Sequence, residues 1–184
     1  MAANWTPVEN RLGIQPIAQS NAALPSQYQT GQSQEFGQAH PLGTIVRAYD
    51  ANNTLGEGEF IYLAGCSSTA VGNLVYYNNL AGSTTIVPNT ASTNYPVAVA
   101  MSANVKGQYG WYQITGVATI LKTATKVSPS QKVAISSTAG RILGGSTAGK
   151  QVLNAISVNA ATVASATSTV QVLIDRPFME SVAT

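Results

Sequence analysis

Residues 111–121 read WYQITGVATIL, and residues 132–135, 155–158 and 169–174 read KVAI, AISV and TVQVLI. β-Branched and aromatic residues fill these runs, and Gly, Pro and Ser punctuate the segments between them. Short apolar runs bounded by such turn residues are typical of β-strands. The second half of the chain is therefore predicted to be a series of short strands joined by tight turns.

The same pattern extends upstream to about residue 43. Five further strands are predicted over residues 44–49, 58–63, 73–77, 84–87 and 96–101, each followed by Gly, Asn, Ser or Pro. The alanine-rich stretch 159–167 has no charged face that would favour a helix, so we expect a loop there. Regular short strands of this kind predict an all-β fold, an antiparallel β-sandwich or barrel-like domain over residues 43–184.

Residues 1–42 have a different composition, rich in Gln, Asn, Ala, Ser and Pro. Prolines at intervals prevent a long helix and remove donors from any strand. Apolar residues nevertheless recur, notably Trp5, Leu12, Ile14 and Ile17. We expect an extended N-terminal arm that orders against a surface, either its own domain or a neighbour. The alternative is a disordered tail.

Charge is scarce, since charged residues make up 9% of the chain against about a quarter in typical domains. A chain so poor in charge is expected to cover much of its surface with other subunits. The basic residues are dispersed and the net charge is only +2, so we expect no nucleic-acid partner. No apolar run is long enough for a membrane helix. No basic-then-apolar leader is visible, which predicts synthesis in a cytosol.

Few residues point to chemistry, and we expect neither an enzyme nor a cofactor or metal site. Gly144, Gly149 and Lys150 have P-loop spacing, but Gln151 replaces the required Ser or Thr, so a hairpin loop is predicted. A lone His40 and a lone Cys66 provide too few ligands for zinc.

Three further features are assigned structural roles. Glu57 and Glu59 are interpreted as a solvated hairpin edge. Asp175 and Arg176, after the last predicted strand, suggest an intersubunit ion pair. The Trp111–Tyr112 pair is expected in the core or at a subunit interface, with a sugar-stacking platform as the other interpretation.

The order of turns in the second half resembles that of the capsid decoration (cement) proteins of tailed bacteriophages. In that family a strand ends in Gly-Val, a Gly-Asp-Lys-Val-like turn starts the next, and an alternating apolar strand closes the domain. The matching positions here are Gly116-Val117, residues 130–133, residues 139–141 and residues 170–174. Gln131 stands where the family has an acidic turn residue.

The resemblance implies a structural protein, commonly trimeric, on the outer surface of a phage capsid, where it binds and stabilises the major capsid protein. Trp5, Leu12, Ile14, Ile17, Trp111 and Tyr112 are our predicted capsid or subunit contacts. The alternative function is a carbohydrate-binding module of a virion fibre or spike that uses Trp111 and Tyr112.

Overall fold

Two antiparallel sheets form the part of the chain that the computed structural model describes, residues 4–9, 13–23 and 38–181. The strands are β1 (Trp5–Pro7), β2 (Ile45–Asp50), β3 (Glu57–Ala64), β4 (Leu74–Tyr77), β5 (Thr84–Ile86), β6 (Val97–Ala100), β7 (Tyr109–Gln113), β8 (Thr115–Leu121), β9 (Lys132–Ile135), β10 (Ile142–Gly144), β11 (Gln151–Ser157) and β12 (Thr169–Met179). Asn21–Ala23 forms a short 3₁₀ turn. The all-β prediction is confirmed.

The first sheet has seven strands in the order β1-β2-β3-β7-β6-β4-β5, and the second has five in the order β10-β9-β11-β12-β8. The seven-stranded sheet curls until the end of β3 meets the start of β5. There the Ala64 amide donates to the Gly82 carbonyl at 2.9 Å, and the Thr84 hydroxyl donates to the Ala64 carbonyl at 2.7 Å. This curling gives the domain its barrel-like character.

Strands β4 and β6 are buried along their whole length, on both faces. Leu74 and Val99 point into a core that the second sheet shares, together with Ile120 and Val172. The alternate residues of β4 and β6 point into a separate core inside the curl of the first sheet. That inner core contains Ile61, Leu63, Val75, Tyr77, Ala98, Ala100, Tyr112 and Ile114. The central strands therefore serve two cores at once.

The N-terminal segment is built into the first sheet rather than standing apart from it. β1 pairs with β2, with Trp5 opposite Asp50. Trp5 and Ile17 pack in a third apolar cluster with Phe60, on the side of the sheet that Trp111 also faces. The Trp5 and Phe60 rings lie 4.9 Å apart, edge to face. Of the two surfaces that the arm could order against, the described residues use their own domain.

Asp50 fastens this segment to the β2–β3 turn. Its buried carboxylate accepts hydrogen bonds from the amides of Asn4, Asn52, Thr54 and Leu55 at 3.1–3.2 Å, and from the Thr54 hydroxyl at 2.5 Å. The Thr54 hydroxyl, together with the backbone amides, lowers the pKa of Asp50 to about 2, although burial acts in the opposite direction. An ionised carboxylate is thus part of the folded structure.

Two local predictions were wrong. The Gly144–Lys150 segment is not a hairpin loop, because β10 and β11 lie on opposite sides of β9 and do not pair with each other. The last strand does not end at Ile174 but continues to Met179, so Asp175 and Arg176 lie within β12. Arg176 also bonds Glu59 of the same chain at 2.7 Å, and the intersubunit ion pair suggested for Asp175 and Arg176 stays a prediction.

Candidate binding surfaces

Gln15 joins the N-terminal segment to the first sheet through a buried hydrogen-bond network. Its Oε1 accepts from the Tyr62 hydroxyl at 2.8 Å, and its Nε2 donates to the carbonyls of Gln19 at 2.7 Å and Tyr109 at 3.3 Å. The Trp111 indole donates to the Gln15 carbonyl at 2.8 Å. Buried polar groups of this kind hold the segment in one position, because each would be costly to leave unpaired.

His40 completes the network. Its Nε2 accepts a hydrogen bond from the backbone N–H of Gln15 at 3.0 Å. The centre of its ring lies 5.1 Å from that of the Tyr62 ring and 5.3 Å from that of the Trp111 ring. Burial lowers the pKa of His40. A protonated imidazole has no acceptor nitrogen, so this arrangement requires neutral His40.

The residues predicted from sequence as capsid or subunit contacts are mostly internal. Trp111 and Tyr112 are 0% exposed, and Trp5 and Ile17 are also buried, whereas Ile14 is half-buried. Leu12 lies outside the described residues. Side chains enclosed by their own domain have no surface left for a partner, so the exposed apolar surface must be found on other residues.

One exposed apolar surface consists of Val8, which directly follows β1, and of Ile45 and Tyr49 on β2, and we call it the wing patch. These side chains are 44–46% exposed. Ile45 and Tyr49 alternate with inward-facing residues of β2, and the Val8 amide donates to the Arg47 carbonyl at 2.9 Å, which places Val8 on the same face. A tyrosine and two aliphatic side chains on a rigid strand face are a composition that favours protein contact.

Two ion pairs lie at the wing patch, and one of them involves Arg47, which lies between Ile45 and Tyr49 on the same face of β2. Arg47 contacts Glu57 at 2.6 Å and Arg176 contacts Glu59 at 2.7 Å. Exposed pairs of this kind add little stability, about 0–1 kcal/mol each. Because these four charges are matched within the chain, they add little net charge beside the wing patch to attract or repel a partner.

A second exposed apolar surface lies on the outer face of the five-stranded sheet and consists of Ile156, Val158 and Leu173, which we call the outer patch. These side chains are 38–43% exposed. Ile156 is directly opposite Leu173 in the β11–β12 ladder, and the Val158 amide donates to the Gln171 carbonyl at 3.0 Å. The three therefore project from one face of adjacent strands.

The alternation of residue types along a strand indicates which face is exposed for β12 but not for β2. In β12, Gln171, Leu173 and Asp175 alternate with Val170, Val172 and Ile174, which marks the exposed face, with Leu173 as an apolar exception. In β2 each face carries one charged residue, Arg47 on the exposed face and Asp50 on the buried face, so the alternation could not show which face was solvated.

Within residues 4–9, 13–23 and 38–181, no group of three or more His, Cys, Asp or Glu side chains is arranged to hold a metal ion. Among the same residues, no helix has the length and apolar character needed to cross a membrane. Cys66 is half-buried, with Sγ 3.2 Å from the Thr69 hydroxyl. Other exposed large apolar side chains, Val71, Leu80, Tyr95 and Val105, lie outside the two apolar patches.

Comparison with known proteins gave no family model, no curated protein and no solved structure that matches this chain.

Proposed function

We propose that this chain is a structural virion protein, not an enzyme, that binds the outer surface of a bacteriophage capsid and stabilises contacts between major capsid proteins. The observation that carries the proposal is the presence of two separate exposed apolar patches, one on each sheet. A protein that cements a shell has to contact more than one neighbour, and the wing patch and outer patch offer two such contacts. The resemblance in turn order supports the same function.

The size of the patches favours an oligomer. Covering the exposed part of each of the six side chains would contribute about 1 kcal/mol per residue, or about 6 kcal/mol in all. Association itself costs about 4–15 kcal/mol, so a single subunit would bind a capsid weakly. A homotrimer presents three copies of each patch and gains affinity by avidity. We therefore propose that the protein acts as a homotrimer, made in the host cytoplasm and located on the capsid exterior.

The low charge of the chain predicts how capsid binding should depend on salt concentration. Apolar contacts are not screened by salt, whereas contacts between exposed charges weaken as ionic strength rises. With 9% charged residues and internally paired charges beside the wing patch, we expect binding to capsids to be nearly independent of salt.

Rebinding of the purified protein to undecorated phage heads tests the proposal. Wild-type protein should co-sediment with heads, while Ile45→Asp on the wing patch and Leu173→Asp on the outer patch should each abolish binding. Val105→Asp is a matched control, because Val105 is 39% exposed but lies on the β6–β7 loop outside both patches. Mass photometry of the free protein should report a trimer. Failure of the wild-type protein to bind heads would refute the capsid function.

A further inference from the structure

A cleft of about 290 Å³ opens beside the hairpin formed by β4 and β5. It is lined by Tyr76, Tyr77, Asn78, Ser83, Thr85 and Tyr95. In the β4–β5 ladder Tyr76 is opposite Thr85, and the Asn78 amide donates to the Ser83 carbonyl at 3.0 Å. Because alternate residues share a face, Tyr76, Asn78, Ser83 and Thr85 all project to the same side of the hairpin.

Tyr95 provides an exposed aromatic ring at this cleft. It is 55% exposed, and its ring centre lies 5.2 Å from that of Tyr76 at an interplanar angle of 40°. Tyr76 is buried and its hydroxyl bonds the Thr93 hydroxyl at 2.5 Å. The Met179 amide donates to the Tyr95 carbonyl at 2.9 Å, which holds its backbone against β12. The ring is thus held beside Tyr76 and is more than half exposed to solvent.

The polar groups around the Tyr95 ring are fixed as well. Asn78 Oδ1 accepts from the amides of Leu80 at 2.8 Å and Ala81 at 3.0 Å, so the side-chain amide is held with its Nδ2 free to donate to a ligand. Ser83 and Thr85 are exposed and present their hydroxyls on the same side. Of the described residues that line the cleft, none is acidic or basic. Burial raises the pKa of Tyr76, so it too stays neutral.

We propose that this cleft binds a neutral saccharide. The C–H face of a sugar ring would stack on Tyr95, and its hydroxyls would pair with the Asn78 amide and the Thr85 and Ser83 hydroxyls. A purely apolar ligand would leave these polar groups unpaired, and an anionic ligand would find no countercharge. A small cleft with one aromatic wall and a few placed polar groups is an arrangement suited to a small polar ligand.

This inference goes beyond capsid binding and does not depend on it, because the cleft shares no residue with the wing patch or the outer patch. The cleft differs from the carbohydrate site predicted from sequence at Trp111 and Tyr112, because the rings of those two residues are fully buried. A single sugar ring in an open cleft should bind with a dissociation constant on the order of millimolar, so detection requires multivalent display.

The experiment is a glycan array probed with the full chain, clustered on a fluorescent carrier. Wild-type protein should bind a set of neutral glycans. The array signal of Tyr95→Ala should be at least about tenfold lower than that of wild type. Tyr95→Phe, which keeps the ring, should retain the wild-type signal. Val71→Ala is the matched control, because Val71 is 59% exposed and lies outside the cleft and both apolar patches. Melting curves of each variant identify any that fail to fold.

A second variant keeps the test decisive if Tyr95→Ala is unstable. Thr85→Val preserves the shape of an exposed side chain and removes one proposed hydrogen bond, so it should weaken binding several-fold. An array with no neutral glycan above background would overturn the proposal, as would equal binding by folded Tyr95→Ala and wild type. Head rebinding by Tyr95→Ala, run in parallel, should match that of wild type, so failure of the saccharide site is distinct from failure of the capsid function.

Discussion

Replacing Gln15 with Leu should test whether the N-terminal segment is a structural part of the domain. Leu is close to Gln in volume and leaves the backbone bonds of residue 15 to His40 and Trp111 intact. It removes the acceptor of the Tyr62 hydroxyl and the donor to the Gln19 and Tyr109 carbonyls. The substitution therefore isolates the side-chain part of the network.

The expected magnitude follows from those three bonds. A buried hydroxyl left without an acceptor costs about 1–3 kcal/mol, and each lost neutral hydrogen bond about 0.5–1.5 kcal/mol. We expect a net loss of about 2–4 kcal/mol, because solvent can reach part of the site once the segment loosens. In a chain of 184 residues each kcal/mol lowers Tm by about 2–4 °C, so the expected decrease is about 5–15 °C.

Thermal unfolding followed by circular dichroism measures this decrease, and limited proteolysis shows whether cleavage begins in the N-terminal segment. Gln19→Leu is the matched control, since the Gln19 side chain is exposed and only its carbonyl takes part in the network. If Gln15→Leu melted within about 2 °C of wild type, or if the control fell equally, the network would not be what holds the segment in place.

Three further predictions concern strain and acid stability. Gly116→Ala should destabilise the fold severely, because its Cβ would lie 2.3 Å from the Glu57 carbonyl oxygen. Gly43→Ala, also at positive φ but in open space, should lower the free energy of unfolding by only about 1–2 kcal/mol, as measured by urea denaturation. The pKa of Asp50 is lowered to about 2, so its contribution to stability is present above pH 3.8 and is lost as the pH falls toward 2. In Asp50→Asn, the free energy of unfolding should change less with pH over this range. The pKa of His40 is lowered from 6.5, so the free energy of unfolding should fall as the pH drops below 6.5. A His40→Gln variant should lack this pH dependence. If its free energy of unfolding varied with pH as in wild type, the assigned role of Nε2 would be contradicted.

The strands were largely predictable because their signals are local. Residues 44–49 and 84–87, for example, were predicted within one residue of β2 and β5. The end of β12 was missed because the charged residues Asp175 and Arg176 follow the apolar run. Both are exposed at an irregularity, where the β11–β12 register shifts and Arg176 has a φ of 44°, and the strand continues beyond it. Charge at the edge of a run is a weak guide where one side of the strand is solvated.

The pairing of distant segments was not predictable, and the positions of the predicted contact residues depend on it. Trp5 meets Asp50, and Gln15 meets Tyr109, through contacts that leave no trace in local periodicity. Trp111 and Tyr112 point to opposite faces of β7, and both are buried because the first sheet has a core on each side. A period-two pattern assumes one solvated face, and that assumption fails for these strands.

The double burial of β4 and β6 has a consequence for how the chain reaches its native state. Neither core can close before these strands are in place, so the two sheets cannot mature independently, and unfolding should show a single cooperative transition. The ladders also join segments far apart in the chain, as where Thr115 pairs with Asp175. Such nonlocal topology is associated with slow folding, on the order of milliseconds to seconds. Each chain should thus be either completely folded or unfolded, with no stable half-formed species between the two states.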